Sequence, residues 1–371
     1  MLSAAPGRTD EKLEQEVIAA NAKMTSGDPA GAIAGYDAVL AKAPQAVNVW
    51  LLRAIARWNA NDAGGALEDV EQALKLQPNH AEAFRLRAEI RHSQADYTEA
   101  LADVERAIEL DPKLGLAYAV RARIRYVQEG ADAALEDLTR AVDLAPTSVE
   151  AHLMRSEMFE EKGRLAEARA DCTSVLALEP DNPAALDRRA WVNFFDGKWL
   201  ATIEDGTRQM EVAGKSVSML RAVGYARYGL GEYDAAITAL GQAAELPTKA
   251  EDQVAYALLV RELALWRDGR SDNRLAKAMA AWDKDSWWHA LGRYLTGQMD
   301  EEKLDELTER EDDLEKRSRQ CEANFYIGMK RLHMGDRSTG RFRLNACVAV
   351  GKTDFIEHHL AGAELRKLKQ R

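Results

Sequence analysis

Apolar and polar residues alternate along most of the chain with the period of an amphipathic helix. Within residues 81–114, Leu86 and Ile90 mark one apolar stripe, and Val104 and Ile108 mark a second. Side chains three or four positions apart lie on the same face of a helix. The segment therefore predicts two helices that pack against each other through their apolar stripes.

The same pattern returns at a fixed interval. Prolines recur 34 residues apart, at Pro44, Pro78, Pro112, Pro146 and Pro180. Small residues recur in step with them, as in Ala54, Ala88 and Ala122, where two helix backbones must come close. Each proline is expected to end the second helix of its unit, because proline cannot donate the next helical hydrogen bond.

A helix pair repeated every 34 residues is the pattern of the tetratricopeptide repeat, and the chain resembles that family. The resemblance implies an all-α fold, a right-handed solenoid or superhelix of antiparallel helix pairs with a modified C-terminal capping region. We expect a flexible tail over residues 1–12, seven repeat units over 13–250, an irregular helical connector over 251–320, and an eighth unit with a capping helix over 321–371.

Arginine and aspartate occupy two fixed positions in five consecutive units. Position 7 of the unit is arginine and position 23 is aspartate in the pairs Arg53 with Asp69, Arg87 with Asp103, Arg121 with Asp137, Arg155 with Asp171, and Arg189 with Asp205. Both residue types are missing together from the first and seventh units. A poorly exposed guanidinium needs a carboxylate partner. We therefore predict a structural salt bridge between the two helices of each of these units.

Positions 2, 5, 9, 12 and 13 of the unit tend, in the family that the chain resembles, to line the concave face that holds peptides. The resemblance makes the following residues candidates for a partner-binding groove: Trp58, Arg85, Glu89, Tyr126, Glu157, Trp191, Phe194, Phe195, Tyr225 and Tyr228. Two interpretations of the aromatic residues stay open. They either anchor a partner segment, or they fill space left by Gly206 and by closure of the superhelix.

The segment near the C-terminus carries a different set of residues. Glu322, Phe325 and Gly328 are followed by Phe355 and Glu364. Residues 280–368 resemble the closing region of bacterial periplasmic adaptors of the "new lipoprotein I" group. This resemblance implies an adaptor that presents proteases or peptidoglycan hydrolases of the cell envelope to their clients.

Three cysteines are too few for a disulfide scaffold. Cys321 begins the first helix of the predicted eighth unit, and Cys347 lies near the end of its antiparallel mate. These ends are neighbours, so the two residues form either a disulfide in an oxidising compartment or a pair of buried thiols in a reducing one.

Composition and motifs narrow the function. The net charge of −11 disfavours nucleic acid, and no apolar run approaches the ~20 residues that span a bilayer. We find no phosphate-binding loop, nucleophile elbow or zinc motif, and therefore predict no catalytic residue, no metal site and no cofactor. Self-association is neither indicated nor excluded by the sequence.

These observations favour a non-enzymatic scaffold or adaptor that binds a protein or peptide partner. The expected location is the periplasm or another extracytoplasmic compartment, with a cytoplasmic scaffold for assembly or regulation as the alternative. A second alternative is the recognition arm of a cryptic enzyme, because an active site without a known motif leaves no signature in the sequence.

Overall fold

The computed structural model describes residues 7–309 and 313–369, and these residues form 21 α-helices and no β-strand. The chain divides into two compact units, Met1–Met158 and Phe159–Arg371. The helix α9 (Val149–Glu161) contains the boundary between them.

The first unit is a series of antiparallel helix pairs. Its helices are α1 (Gly7–Thr25), α2 (Pro29–Leu40), α3 (Val47–Asn59), α4 (Ala63–Leu76), α5 (Ala81–Ser93), α6 (Tyr97–Leu110), α7 (Gly115–Glu129) and α8 (Ala131–Leu144). The second helices α4, α6 and α8 end two residues before a proline, at Leu76, Leu110 and Leu144. The proline positions thus mark the helix ends at the 34-residue interval.

The second unit continues the helix pairs and then changes character. Its helices are α10 (Leu165–Leu178), α11 (Pro183–Phe195), α12 (Trp199–Ala213), α13 (Val217–Leu230), α14 (Tyr233–Glu245), α15 (Glu251–Arg267), α16 (Arg274–Met279), α17 (Trp287–Leu295), α18 (Glu301–Thr308), α19 (Asp313–His333), α20 (Arg337–Ala349) and α21 (Ile356–Lys369). The helices after α15 are of unequal length, and α16 to α18 are short.

Two element boundaries differ from those expected from the sequence. The first helix begins at Gly7, inside the segment 1–12 that we expected to be a flexible tail, while residues 1–6 lie outside the described residues. The helix α19 begins at Asp313, before the expected start of the eighth unit at residue 321. In both cases the polar, charged start of the helix carries no apolar stripe from which its beginning could be predicted.

Small residues let the paired helices approach closely in both units. Ala54 and Ala66 in the first unit are fully buried, as are Ala190 and Ala236 in the second. At Gly224, an added Cβ would lie 2.6 Å from the side chain of Leu240. Since real Cβ contacts are longer than this, the α13–α14 pair could not keep its spacing with a larger residue there.

The apolar core is organised differently in the two units. In the described part of the first unit, the core consists of separate clusters between neighbouring helix pairs, such as the one around Val70 and Ile90 and the one around Tyr36. In the second unit, one cluster extends from Phe194 to Ala363. The C-terminal helices therefore share a core with α11 to α15.

Candidate functional site

The predicted arginine–aspartate pairs join the two helices of a repeat, with two hydrogen bonds in each pair. The Nε and Nη2 atoms of the arginine donate to the two carboxylate oxygens at 2.6–2.9 Å in four pairs: Arg53 with Asp69, Arg87 with Asp103, Arg121 with Asp137, and Arg189 with Asp205. The fifth predicted pair, Arg155 with Asp171, has its members in different units and stays a prediction.

A second donor for each of these aspartates was missed from the sequence. Position 11 of the unit supplies Arg57 at 3.0 Å from Asp69 and Arg91 at 2.5 Å from Asp103. In the sixth unit the same position is Asn193, whose amide donates to Asp205 at 3.0 Å. The 34-residue spacing of these donors was visible in the sequence, and it would have identified them.

Three of the position-7 arginines, Arg53, Arg87 and Arg121, also stack on an aromatic ring one helical turn earlier. The guanidinium carbon of Arg53 lies 4.7 Å from the ring centre of Trp50, and that of Arg87 lies 5.3 Å from Phe84. The hydrogen bonds that Arg53 donates to the Asp69 carboxylate are the leading cause that raises the pKa of Arg53. The carboxylates and the aromatic rings occupy these arginines, so the series is structural rather than a site for anions.

In the first unit, two of the predicted groove residues, Arg85 and Glu89, belong to a charged network. Arg85 is buried between Glu82 at 2.9 Å and Glu89 at 2.5 Å. Arg123 pairs with Glu89 at 2.6 Å and with Glu150 at 2.8 Å, and so connects neighbouring repeats within the first unit. Tyr126 is 39% exposed. Glu157 is also exposed and Trp58 is half-buried.

In the second unit, the prediction that Phe194, Tyr225 and Tyr228 line an open groove is wrong. All three side chains are fully buried. The ring of His359 in α21 lies 6.0 Å from Phe194, and Lys367 in the same helix donates to the carbonyl oxygen of Tyr228 at 3.0 Å. The chain's own C-terminal helix therefore covers Phe194 and Tyr228.

The helix α21 is held in this position by charge as well as by apolar contact. The carboxylate of Glu364 is fully buried, with Arg267 at 2.9 Å and Lys367 at 3.0 Å. The hydroxyl of Tyr228 is a donor to the sulfur of Met329 in α19 at 3.9 Å. Because a buried carboxylate is stable only when paired, Glu364 specifies where α21 sits.

A buried polar cluster lies deeper in the second unit. The hydroxyl of Tyr256 and the indole N–H of Trp287 both donate to one oxygen of Glu322 at 2.7 Å. Tyr326 donates to Glu357 at 3.1 Å. Burial raises the pKa of Glu322 to about 8, and it also raises the pKa of Glu357. These groups are enclosed by protein, which suits a structural role rather than chemistry on a substrate.

Cys321 and Cys347 are neighbours, as predicted, but they are free thiols rather than a disulfide. Their sulfur atoms lie 3.2 Å apart, whereas a disulfide bond is about 2.05 Å long. Both side chains are fully buried, and Cys172 is buried as well. The described residues contain no group of three or more side chains that could hold a metal ion.

Of the predicted groove residues in the second unit, Trp191 and Phe195 are only half-buried, and Trp191 lines a cavity. The cavity has a volume of about 500 Å³ and is formed by the following residues: Glu160, Pro183, Ala184, Asp187, Arg188, Trp191 and Gln209. The indole N–H of Trp191 donates to Ser218 at 3.0 Å, and its ring stacks on Phe195 with ring centres 5.9 Å apart. Its remaining surface faces the cavity, which is large enough for a side chain of a partner.

A second cavity, of about 690 Å³, lies between α18, α19 and α20. Its acidic residues include Glu301 and Asp305, and both accept hydrogen bonds from Arg343 at 2.6 Å. Arg343 also donates to Asn324 at 3.1 Å. The polar groups of this cavity thus satisfy one another, and the first cavity is the better candidate site.

Comparison with protein families agrees with the repeat pattern. Tetratricopeptide repeat models match residues 52–125 and residues 19–69 and 120–183. The matched segments together span residues 19–183. The chain matches no curated protein. No described helix has the length and apolar character needed to cross a membrane.

Solved structures share the helical repeat at low sequence identity. PilW, described as a widely conserved type IV pilus biogenesis factor, is 19% identical, covers 57% of this chain and 98% of its own, and has a TM-score of 0.50. Pseudomonas aeruginosa PilF is 14% identical, covers 57% of this chain and 96% of its own, and has a TM-score of 0.48. A tetratricopeptide repeat protein from Parabacteroides merdae is 15% identical over 67% of this chain and 99% of its own, with a TM-score of 0.44. At this identity the likeness concerns the fold alone.

Proposed function

We propose that this protein is a non-enzymatic scaffold that binds a segment of a partner protein, and that the cavity beside Trp191 is its docking point in the second unit. The carrying observation is that α21 covers Phe194 and Tyr228 of this repeat face, while the half-buried Trp191 lines a cavity of about 500 Å³. Aromatic side chains at the edge of a cavity are frequent anchors in protein interfaces.

The enclosed carboxylates support a scaffold over an enzyme. The raised pKa of Glu322 is of the kind expected of a catalytic acid. However, its oxygen accepts hydrogen bonds from Tyr256 and Trp287 inside the core. A catalytic group must reach its substrate. The carboxylates that do face the Trp191 cavity, Glu160 and Asp187, have no neighbouring nucleophile among the residues that line it.

For the partner class, our working proposal is a protease or peptidoglycan hydrolase of the cell envelope. Its support is the resemblance of residues 280–368 to periplasmic adaptors. Fractionation of the source cells, with antibody detection of the native protein, tests the compartment. Recovery in the cytosolic fraction alone would replace the envelope role with a cytoplasmic scaffold.

The binding site is tested by affinity capture from extracts of the source cells, followed by mass spectrometry. The variant Trp191→Ala should lose the captured partner, because it removes the aromatic wall of the cavity. Trp50→Ala is the matched control, since Trp50 is a half-buried tryptophan of the first unit that lies outside the predicted groove and should not affect capture. Equal capture by folded Trp191→Ala would move the site away from the cavity, and capture of no protein by the wild type would oppose the scaffold role.

A further inference from the structure

The Trp191 cavity is lined by hydrogen-bond acceptors that have no donor partner. Asp187 is a half-buried carboxylate on α11, and no hydrogen bond or ion pair joins it to another described residue. Its burial raises its pKa, and only the charge of the adjacent Arg188 opposes this shift. A carboxylate held in such a place would gain from a nearby cation that reaches it from the cavity.

The one cationic side chain that lines the cavity is directed to another carboxylate. Arg188 lies 3.2 Å from Glu160, and both residues are half-buried. This pair contributes no net charge, so Asp187 gives the cavity lining a net negative charge. An anionic ligand would therefore meet an unpaired carboxylate, which disfavours it.

Gln209 on α12 is a second, independent sign of a missing donor. It lines the cavity and is only 9% exposed, and its Oε1 atom is buried without a hydrogen-bond partner. Buried side-chain oxygens of folded proteins are normally hydrogen-bonded. An N–H donor supplied by a ligand would satisfy this oxygen.

Trp191 adds a surface suited to the same kind of ligand. Its N–H is engaged by Ser218, and the half-buried ring is the part of the side chain that lines the cavity. The face of an indole attracts a guanidinium or ammonium group more strongly than the ring of any other residue does. The cavity thus combines a carboxylate, an amide oxygen and an aromatic ring.

We propose that the cavity receives a basic side chain, lysine or arginine, from the partner segment. This inference rests on the proposed function and specifies the chemistry of its ligand. The cation pairs with the Asp187 carboxylate, one of its N–H groups donates to Gln209, and its charge lies against the ring of Trp191. A neutral apolar side chain would leave Asp187 and Gln209 without partners.

The probe that tests this is Nα-acetyl-arginine methylamide, titrated into the full chain while the indole N–H signal of Trp191 is followed by NMR. Trp191→Phe assigns the signal. The neutral citrulline analogue has nearly the same shape without the charge, and the acetylated glutamate analogue carries the opposite charge. We expect a saturable shift with the arginine analogue and at least about tenfold weaker binding of the citrulline analogue.

Two variants test the named contacts. Asp187→Asn should weaken binding of the arginine analogue by about tenfold, because the ion pair is lost. Gln209→Met, which removes the buried acceptor, is a second variant with the same expected direction. Glu211→Gln is the matched control, since this carboxylate lies on the same helix but is exposed and pairs with Arg208 at 2.9 Å. Thermal melts verify that each variant is folded.

The outcomes separate this inference from the proposed function. Absence of a saturable shift, or equal binding of the citrulline analogue, would overturn the basic-side-chain inference even if Trp191→Ala still loses its partner in affinity capture. Loss of arginine binding in Glu211→Gln would also overturn it, because the effect would then come from general surface charge. Binding of the arginine analogue without any captured partner would oppose the scaffold role alone.

Discussion

Three aromatic residues at position 12 of their repeats lie in opposite environments. Tyr126 in the first unit is 39% exposed, while Phe194 and Tyr228 in the second unit are fully buried. All three residues lie on the first helix of a repeat at the same point of the 34-residue register. The difference arises because α21 packs on Phe194 and Tyr228 within the second unit.

The comparison teaches that the repeat register specifies the position of a residue on its helix, but not which other segment of the chain covers that residue. The period of the apolar residues is local, since it depends on helix pairs and their immediate neighbours. The covering of Tyr228 depends on Lys367, more than a hundred positions later in the chain. A binding face assigned from the register alone is therefore correct only where no distant segment fills it.

The largest expected effect contrasts two truncations at position 12. Phe194→Ala should lower the free energy of unfolding by about 3–5 kcal/mol, because it opens a cavity in the core of the second unit. Tyr126→Ala should change it by less than about 0.5 kcal/mol, since much of this ring is exposed. Urea denaturation of both variants measures the contrast. Similar losses at the two positions would contradict the difference in covering.

The next effect concerns the arginine–aspartate pairs that both units share. Asp103→Ala should lower the free energy of unfolding by about 2–3 kcal/mol, because it leaves Arg87 and Arg91 without their carboxylate partner. The arginine side chains keep 19% and 26% exposure, so the loss should be smaller than that of a fully buried pair. Thermal melts report it.

Arg87→Leu combined with Asp103→Leu is the matched test of this pair, since it removes both charges and keeps apolar volume. It should recover much of the loss seen in Asp103→Ala. An unchanged melting temperature for Asp103→Ala alone would mean that the pair contributes nothing to folding.

Glu322 in the second unit should make the stability of the protein depend on pH. The pKa of Glu322 is raised from 4.5 to about 8, so the folded protein keeps a proton that the unfolded chain releases between these pH values. The free energy of unfolding should therefore fall as the pH rises from about 4.5 to about 8, by at most about 1.4 kcal/mol per pH unit. Urea titrations at a series of pH values measure the slope.

Glu322→Gln is the control for this pH dependence. The amide oxygen still accepts hydrogen bonds from Tyr256 and Trp287, but it does not titrate. The slope of the free energy of unfolding against pH should therefore lose the contribution of about one proton. A slope that is the same in wild type and variant would assign the pH dependence to another group.

The smallest effect concerns the charged network of the first unit. Arg123→Ala should cost about 0.5–1 kcal/mol, because its pairs with Glu89 and Glu150 are partly exposed. The charge of Arg123 also contributes to the lowered pKa of His92, after burial, so the variant should raise that pKa. NMR titration of His92 measures the change, with Arg106→Ala as the exposed control. A fall in the pKa of His92 would contradict the described network.

Much of the local structure could be predicted from the sequence. The 34-residue period predicts helix ends near the prolines, and the joint presence of Arg87 with Asp103 predicts a pair that the structure contains at 2.6 Å. Arg91 was missed although it recurs with the same period. In each of these cases the partners lie in one repeat, so the repeated spacing carries the information.

The candidate site could be predicted only in part. Trp191 was predicted because an aromatic residue stands at a groove position, but Asp187 and Gln209 beside it were not. Asp187 stands at position 5 of the repeat, a groove position, and Gln209 stands where other repeats have an alanine such as Ala107, but neither position predicts burial without a partner. That burial is produced by the packing of three helices, α9, α11 and α12, and no local pattern reports it.

The most direct test of the account is photo-crosslinking in the source cells from a benzoylphenylalanine placed at single positions. Ala184 lines the Trp191 cavity, and Tyr126 marks the open repeat face of the first unit. We predict a crosslinked partner from position 184 that is lost when Trp191→Ala is added. Crosslinks from position 126 alone, with none from position 184, would contradict the claim that the partner docks in the cavity of the second unit.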